Sequence, residues 1–235
     1  MRSTSETSYG ARIGNAENLV AALQNFNGYQ PIKPEYSISS FTDLINTTKG
    51  FNNTVANKKQ TYSLAVENRI QIFEKGTLAI TKILSPINGT VKGSFGRTSK
   101  EATDVALIVA KIRGANINNS RSANPVEATV SQSYQSYNSR SQYFADLIVN
   151  LTNFGRNYEP ANTTLNIAGL NDIYTNAVAA NNEVMNTFTQ FVQNNTTRID
   201  TYYLLSQTAI RIKDSVKAQY GNSSTEYQLI KGLKI

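Results

Sequence analysis

The chain contains no cysteine, no histidine and no tryptophan among its 235 residues. Without cysteine it can form no disulfide, no thiolate metal site and no thiol nucleophile. Without histidine it lacks the usual general base at neutral pH and the commonest ligand of transition metals. Serine–lysine dyads, paired carboxylates and all-oxygen metal sites remain chemically possible.

The carboxylates also lack the pattern of a catalytic or metal-binding site. Glu67 and Glu74 lie on one helical segment, and Asp172 and Glu183 lie on another. Neither pair has the Glu-x-x-His partner with which helical bundles hold two metal ions. We therefore interpret these acids as solvated surface and predict no catalytic residue, no metal site and no cofactor.

Long hydrophobic runs are missing as well. The longest, Val105 to Ala110, is far shorter than the roughly 20 apolar residues of a membrane span. Residues 1–8 have no apolar region of the kind that a signal peptide needs. The default prediction is a cytoplasmic protein with no membrane partner, and export by a signal-independent route or after processing stays open.

Charged residues make up only 17% of the chain, with a formal net charge of +7. A clustered positive charge would favour nucleic acids or anionic membranes, but these lysines and arginines are scattered. We interpret most of them as solvated surface and do not expect a nucleic-acid partner. The nearest approach to a basic, anion-binding patch is formed by Lys92, Arg97, Lys100, Lys111, Arg113 and Arg121.

What the chain does contain is an internal repeat. Its two halves align at an offset of about 129 residues. Matching pairs include Leu19 and Leu147, Phe26 and Phe154, Pro31 and Pro160, Asp43 and Asp172, Asn52 and Asn181, and Arg69 and Arg198. The repeat predicts a doubled unit in which a short helix, a Pro-containing loop and a long helix follow one another.

The apolar periodicity predicts helices throughout. Apolar residues from Ile38 to Val91 recur at steps near 3.5, with Gly50, Gly76 and Pro86 as weak points. A second long helix is expected from residue 163 or 164 to about Tyr220, with Ile199, Tyr202 and Ile212 among the residues of its apolar seam. Strand patterns are almost absent. The predicted fold class is all-α, an elongated antiparallel bundle of long, coiled-coil-like helices built by internal duplication.

Five segments are expected along the chain. They are a polar arm at 1–10, a first repeat at 11–115 with a connecting helix at 98–113, a linker at 116–128, a second repeat at 129–221 and a C-terminal tail at 222–235. The tail carries apolar residues, among them Leu229, Leu233 and Ile235, and is therefore expected to dock.

Several short strings carry a family resemblance. They are Ser139 to Ile148 (SRSQYFADLI), Tyr158 to Pro160 (YEP), Val216 to Gly221 (VKAQYG), Ser224 to Tyr227 (STEY) and Lys231 to Ile235 (KGLKI). In these strings the chain resembles uncharacterised all-helical proteins of Bacteroidota bacteria. The resemblance implies a helical fold and a bacterial source, and it carries no activity and no functional residue.

Two pairs of charged residues occupy matching repeat positions, Asp43 with Asp172 and Arg69 with Arg198. One interpretation is a pair of symmetric sites or a buried Asp–Arg brace. The other, which we favour, is structural: the aspartates lie in a first helical turn, where the helix dipole favours them, and the arginine stems cover the apolar seam.

Tyrosine is abundant, with 13 residues in a chain that has no tryptophan. Tyrosine suits half-buried positions at a core rim or against a partner. The candidate interaction surface is formed by Tyr9, Tyr134, Tyr137 and Tyr143.

These observations predict a non-enzymatic structural or interaction protein that self-associates, as a homo-oligomer or filament, or scaffolds partners. One alternative is a component of an α-helical pore-forming toxin, with residues 105–110 as its apolar element. The other is a basic nucleic-acid-binding helical protein, with residues 92–121 as its contact surface.

Overall fold

The computed structural model describes residues 8–114 and 136–235. All regular elements in these two ranges are helical, which confirms the all-α prediction. The helices are α1 (Tyr9–Asn25), α2 (Ile38–Ile70), α3 (Ile80–Phe95), α4 (Lys100–Ile112), α5 (Tyr137–Asn153), α6 (Ile167–Tyr220) and α7 (Thr225–Ile230). The predicted linker at 116–128, Arg121 and Tyr134 lie outside the described residues.

Helices α1 and α5 begin at equivalent serine caps. The Ser8 Oγ accepts a hydrogen bond of 3.2 Å from the N–H of Ala11, and the Ser136 Oγ accepts one of 3.1 Å from the N–H of Ser139. Such caps satisfy an N–H that has no partner within the helix. Helix α1 therefore begins at Tyr9, inside the segment that the sequence predicts as a polar arm.

The first long helix is interrupted once. Helix α2 ends at Ile70, a π-helical turn spans Gln71–Lys75, and α3 begins at Ile80. The break falls at Gly76, where an added Cβ would lie 2.7 Å from the carbonyl oxygen of Gln71. The other two predicted weak points do not interrupt a helix, because Gly50 lies within α2 and Pro86 within α3.

Helix α6 runs without interruption for 54 residues. A short 3₁₀ turn, Thr163–Leu165, occupies the start that the sequence predicts for it. The helix ends before Gly221, whose φ of +99° is the left-handed conformation that glycine adopts at helix ends. Neither α6 nor any other helix within the described ranges has an apolar stretch long enough to cross a membrane.

The chain divides into two compact units. Unit 1 comprises Met1–Gln60 and Phe188–Ile235, and unit 2 comprises Thr61–Thr187. Both boundaries fall inside long helices, so α2 and α6 each contribute to both units. The units therefore do not coincide with the two predicted repeats. Each unit combines the front of one predicted repeat with the back of the other.

The core of unit 1 joins the N-terminal and C-terminal parts of the chain. Its buried side chains include Leu19, Leu23, Phe41, Ile45, Tyr202, Leu205, Ile212 and Ile230. Leu233 and Ile235 of the tail pack against this core. The Ser206 Oγ also donates a hydrogen bond of 2.7 Å to the carbonyl oxygen of Ile235. The tail thus docks on unit 1.

The core of unit 2 is built from α3, α4, α5, the first part of α6 and the π-helical turn. Its buried side chains include Phe73, Leu84, Val105, Val109, Phe144, Leu151 and Leu170. Burial of each such side chain contributes roughly 1.5–3 kcal/mol. Helix α4 places Val105 and Val109 of the apolar run at 105–110 in this core and packs Ile108 against it, whereas Leu107 is 50% exposed.

Candidate functional site

An arginine–aromatic stack surrounds Tyr137 in unit 2. The ring centroid of Tyr137 lies 4.9 Å from that of Phe73, in an edge-to-face arrangement. The guanidinium carbon of Arg69 lies 4.1 Å from the centroid of the Tyr137 ring, and that of Arg140 lies 5.2 Å from the centroid of the Phe73 ring. Cations over aromatic faces are attracted by the negative charge of the ring face. The two arginines thus bracket the two rings.

Polar contacts fix Arg140 in this stack. Its Nη1 donates to the Oε1 of Glu74 at 2.9 Å, and its Nη2 donates to the carbonyl oxygen of Phe73 at 3.3 Å. The Arg140 side chain is only 9% exposed, against 45% for Glu74. The Tyr137 hydroxyl also donates to Glu74 at 3.3 Å. Burial, followed by the Glu74 charge, raises the pKa of this hydroxyl.

A second stack surrounds Tyr9 in unit 1. The ring centroids of Tyr9 and Tyr202 lie 4.5 Å apart. The guanidinium carbon of Arg198 lies 4.3 Å from the centroid of the Tyr9 ring, and that of Arg12 lies 4.8 Å from the centroid of the Tyr202 ring. The Arg12 Nη2 donates to the carbonyl oxygen of Tyr202 at 2.9 Å. This is the arrangement that Arg69, Tyr137, Phe73 and Arg140 form in unit 2.

The two stacks differ in their hydrogen bonds. The Tyr202 hydroxyl accepts from the Asn52 Nδ2 at 2.7 Å and donates to the carbonyl oxygen of Tyr9 at 3.1 Å. Phe73 has no hydroxyl, and Asn181, the repeat equivalent of Asn52, donates instead to the Ser141 Oγ at 3.1 Å. The stack in unit 1 is therefore held by more hydrogen bonds at its ring.

The two stacks also differ in charge. Glu74 follows Phe73, whereas Tyr203 follows Tyr202. The Tyr203 side chain is 67% exposed. Within the described ranges, no carboxylate lies at ion-pair distance from either Arg12 or Arg198. Among the described residues, the stack in unit 1 thus carries two guanidinium groups and no acid.

The predicted interaction surface is distributed over both units. Tyr9 lies in unit 1, and Tyr137 lies in the equivalent stack of unit 2. Tyr143 is also in unit 2, where the Lys111 Nζ lies 5.5 Å from the centroid of its ring. Tyr134 lies outside the described residues. Tyr9 and Tyr137 are therefore related by equivalent surroundings, within separate units.

The matched aspartates do not lie in a first helical turn, because α2 begins at Ile38 and α6 at Ile167, and the matched arginines contact tyrosine rings. Arg69 stacks on Tyr137 and Arg198 stacks on Tyr9. In the part of the chain that the structure describes, neither forms an ion pair with an aspartate. The sequence missed their aromatic partners, although Tyr9 and Tyr137 stand at the same position in the two repeats.

Three members of the predicted basic patch are engaged with different neighbours. Lys100 pairs with Asp104 at 2.5 Å, and its hydrogen bond to this carboxylate raises the pKa of Lys100. Arg113 donates to the Ser85 Oγ at 2.6 Å, and Lys111 lies over the Tyr143 ring. Of the other three, Lys92 lies in the last turn of α3, Arg97 lies between α3 and α4, and Arg121 lies outside the described residues. The anion-binding patch stays a prediction.

An exposed apolar face of α6, here called the α6 stripe, is a feature that the sequence analysis missed. It consists of Val192, Thr196, Ile199, Tyr203, Ser206 and Ile210. Its four large apolar side chains are between 43% and 67% exposed. The spacing of three and four residues is that of a coiled-coil seam. The sequence placed Ile199 in the same buried seam as Tyr202, although α6 carries two apolar series.

An open groove of about 650 Å³ lies in unit 1 beside the turn between α1 and α2. Tyr29, Ser37, Ser39 and Asp43 are among its lining residues. The Tyr29 hydroxyl donates to the carbonyl oxygen of Tyr36 at 2.9 Å. Burial, followed by the charge of Tyr220, raises the pKa of Tyr29 to about 12. Tyr29 therefore serves the turn and is no acid–base group at neutral pH.

The chain matches no protein-family model, no curated protein and no solved structure. Its function must therefore be argued from the two stacks and the α6 stripe.

Proposed function

We propose that this protein is a non-enzymatic structural subunit that self-associates through the α6 stripe. The observation that carries the proposal is the order of side chains along the stripe. Read from Val192 to Ile210, the order is apolar, hydroxyl, apolar, apolar, hydroxyl, apolar. Read from Ile210 back to Val192, the order is the same.

This order suits an antiparallel pairing of two copies. A two-fold interface is formed by the same patch on both subunits, so each residue must match its opposite number. An antiparallel pair centred on residue 201 places Val192 opposite Ile210, Thr196 opposite Ser206 and Ile199 opposite Tyr203. Apolar groups then face apolar groups, and Thr196 faces Ser206. The hydroxyls of these two residues already donate within the chain, to the carbonyl oxygens of Val192 and Ile235, so the apolar pairs carry the match.

We further infer that the chain is an internal duplication of a short helix, a Pro-containing loop and a long helix. Equivalent contacts support this. The hydroxyls of Tyr29 and Tyr158 each donate at 2.9 Å to a carbonyl seven residues later. Gly96 and Gly221 have φ values of +93° and +99°, and the N–H of each donates at 3.0 Å to the carbonyl of a lysine four residues earlier.

The composition of the units adds to the case for self-association. Each unit takes its front from one repeat and its back from the other. Two copies that exchange identical elements, later fused into one chain, would give this arrangement. The antiparallel arrangement of the bundle and its elongated shape stay predictions, which small-angle X-ray scattering of the purified protein tests.

Light scattering after size exclusion tests the self-association. We expect the mass of a dimer or larger assembly, and we expect Ile199→Glu to reduce it to that of a monomer because a charge would be buried at the centre of the pair. Val149→Glu is the matched control, since Val149 is 60% exposed and lies on α5. A wild-type chain that stays monomeric at high concentration would contradict the proposal.

The absence of cysteine allows a test of the pairing itself. Val192→Cys and Ile210→Cys introduce single thiols at positions that are 43% and 48% exposed. We expect a mixture of the two variants to form disulfide-linked dimers much faster than either variant alone. If one variant alone cross-links as fast as the mixture, the antiparallel pairing centred on residue 201 is wrong.

A further inference from the structure

Arg140 and Arg12 occupy equivalent positions in the two stacks, but they differ in their hydrogen-bond partners. The Arg140 Nη2 donates a hydrogen bond to the carbonyl oxygen of Phe73, and its Nη1 donates one to the carboxylate of Glu74. The Arg12 Nη2 donates a hydrogen bond to the carbonyl oxygen of Tyr202. Among the described residues, no hydrogen bond or ion pair joins the Arg12 Nη1 to an acceptor. The charge of Arg140 is thus neutralised by Glu74, whereas the equivalent atom of Arg12, its Nη1, has no such partner among the described residues.

The surroundings of Arg12 favour an anion at this position. Arg198 adds a second guanidinium to the same stack, with its carbon 4.3 Å from the centroid of the Tyr9 ring. The described residues of unit 1 also carry more lysines and arginines than carboxylates. Carboxylates bind guanidinium groups through short, charge-assisted hydrogen bonds, which are stronger than neutral ones.

We propose that Arg12 receives a carboxylate from an aspartate or glutamate of another protein, at the position that Glu74 occupies beside Arg140. The partner segment presents apolar surface beside its acid, because Tyr9 and Tyr203 next to the site are 36% and 67% exposed. A second copy of this chain, with its net charge of +7, is a poor source of that acid. The site goes beyond the proposed function. Because Tyr203 also belongs to the α6 stripe, the acidic partner and a second copy of the chain compete for this residue.

A carboxylate introduced in the same chain tests whether the position is open. Tyr203→Glu supplies the acid that Glu74 supplies in unit 2, and Tyr203→Gln is the matched neutral variant. Both are compared at a dilution at which light scattering gives the mass of a monomer, because Tyr203 also lies in the α6 stripe. We expect the glutamate variant to melt about 2–4 °C higher than the glutamine variant at low ionic strength. The difference should vanish when both carry Arg12→Gln. An equal melting temperature with Arg12 intact would overturn the proposal.

Binding in trans is tested with a designed helical peptide of three heptads that carries leucine on one face and a flanking row of glutamates. Its matched version carries glutamines. By fluorescence anisotropy at low salt, we expect the glutamate peptide to bind the full-length protein about tenfold more tightly. Arg12→Gln and Tyr203→Glu should each remove this preference. Absence of the preference, or its survival in both variants, would overturn the proposal.

Unit 2 offers the complementary test. Glu74→Gln opens the equivalent position on Arg140, so this variant should bind a second glutamate peptide per chain. Displacement of the peptide by an equal concentration of acetate would indicate a site for free carboxylates and overturn the assignment to a protein partner. So would a tenfold gain in affinity on Glu6→Gln, because Glu6 of the same chain would then compete for Arg12.

Failure of the carboxylate site can be distinguished from failure of the proposed self-association. Arg12→Gln should leave the mass by light scattering unchanged, whereas Ile199→Glu should change it. A protein that self-associates but shows no preference for the glutamate peptide would lose only the carboxylate site.

Discussion

The hydroxyl of Tyr158 donates a hydrogen bond of 2.9 Å to the carbonyl oxygen of Leu165, across the turn between α5 and α6. Tyr29 makes the same bond to Tyr36 across the turn between α1 and α2. The Tyr158 side chain is only 4% exposed, and its burial raises the pKa of the hydroxyl to about 12. Each turn thus depends on a tyrosine that must stay protonated.

Tyr158→Phe is expected to destabilise the fold by about 1 kcal/mol, because the Leu165 carbonyl loses a buried donor. Urea denaturation followed by circular dichroism measures this loss. Tyr29→Phe removes the equivalent bond and should behave similarly. A Tyr158→Phe variant as stable as the wild type would mean that water replaces the hydroxyl without cost.

Stability should fall in alkaline solution through the same residue. The tyrosine pKa is 10.0 in its ordinary state and about 12 for Tyr158 in the fold. The unfolded chain therefore releases this proton before the folded chain does. This difference in pKa contributes roughly 2–3 kcal/mol to the free energy of unfolding. The contribution is fully present below pH 10 and is lost as the pH rises through 12. The loss should be smaller in Tyr158→Phe than in the wild type.

Two glycines should respond oppositely to alanine. At Gly169 an added Cβ would lie 2.4 Å from the carbonyl oxygen of Thr164, whereas at Gly50 no atom lies within 4 Å. Gly50→Ala should stabilise α2 by about 0.5–1 kcal/mol through its helix propensity. Gly169→Ala should destabilise the protein by more than about 1 kcal/mol, because the backbone must shift. Thermal denaturation of both variants checks the contrast, and a stabilising Gly169→Ala would refute it.

Loss of the Glu74–Arg140 ion pair should lower the free energy of unfolding more than loss of a surface ion pair. Glu74→Gln is expected to cost about 1–2 kcal/mol, because the Arg140 side chain is 9% exposed and would lose its only carboxylate partner among the described residues. Glu17→Gln is the control, since Glu17 and Lys49 are 49% and 47% exposed and such pairs contribute little. Chemical denaturation at low and high salt separates the two effects, and equal losses would contradict this ranking.

The interruption after α2 illustrates what local sequence can predict. Gly50 and Gly76 both weaken a helix, but only the second stands at a break. At the break the Thr81 hydroxyl donates at 3.0 Å to the carbonyl oxygen of Phe73, which the helix no longer satisfies. This contact depends on the packing of α3 against the π-helical turn, so helix propensity alone could not choose between the two glycines.

The candidate site shows the same limit. The matched positions of Arg69 and Arg198, and of Tyr9 and Tyr137, are visible in the sequence. Their stacking is not, because each tyrosine and its arginine come from opposite halves of the chain. Tyr9 meets Arg198 and Tyr202, which are distant in sequence. The charge difference between the stacks follows from a single position, Glu74 in one repeat and Tyr203 in the other.

The sequence by itself determined the helices and the chemistry that is absent, because apolar spacing and residue types are local properties of the chain. It placed Ile199 and Tyr202 in one buried seam and so did not separate the two apolar series on α6, since both have helical spacing. Tertiary structure decided this: α6 packs Tyr202, Leu205 and Ile212 into the core of unit 1, which leaves the α6 stripe exposed. The combination of the two repeats within each unit was likewise decided by long-range packing, which no local pattern records.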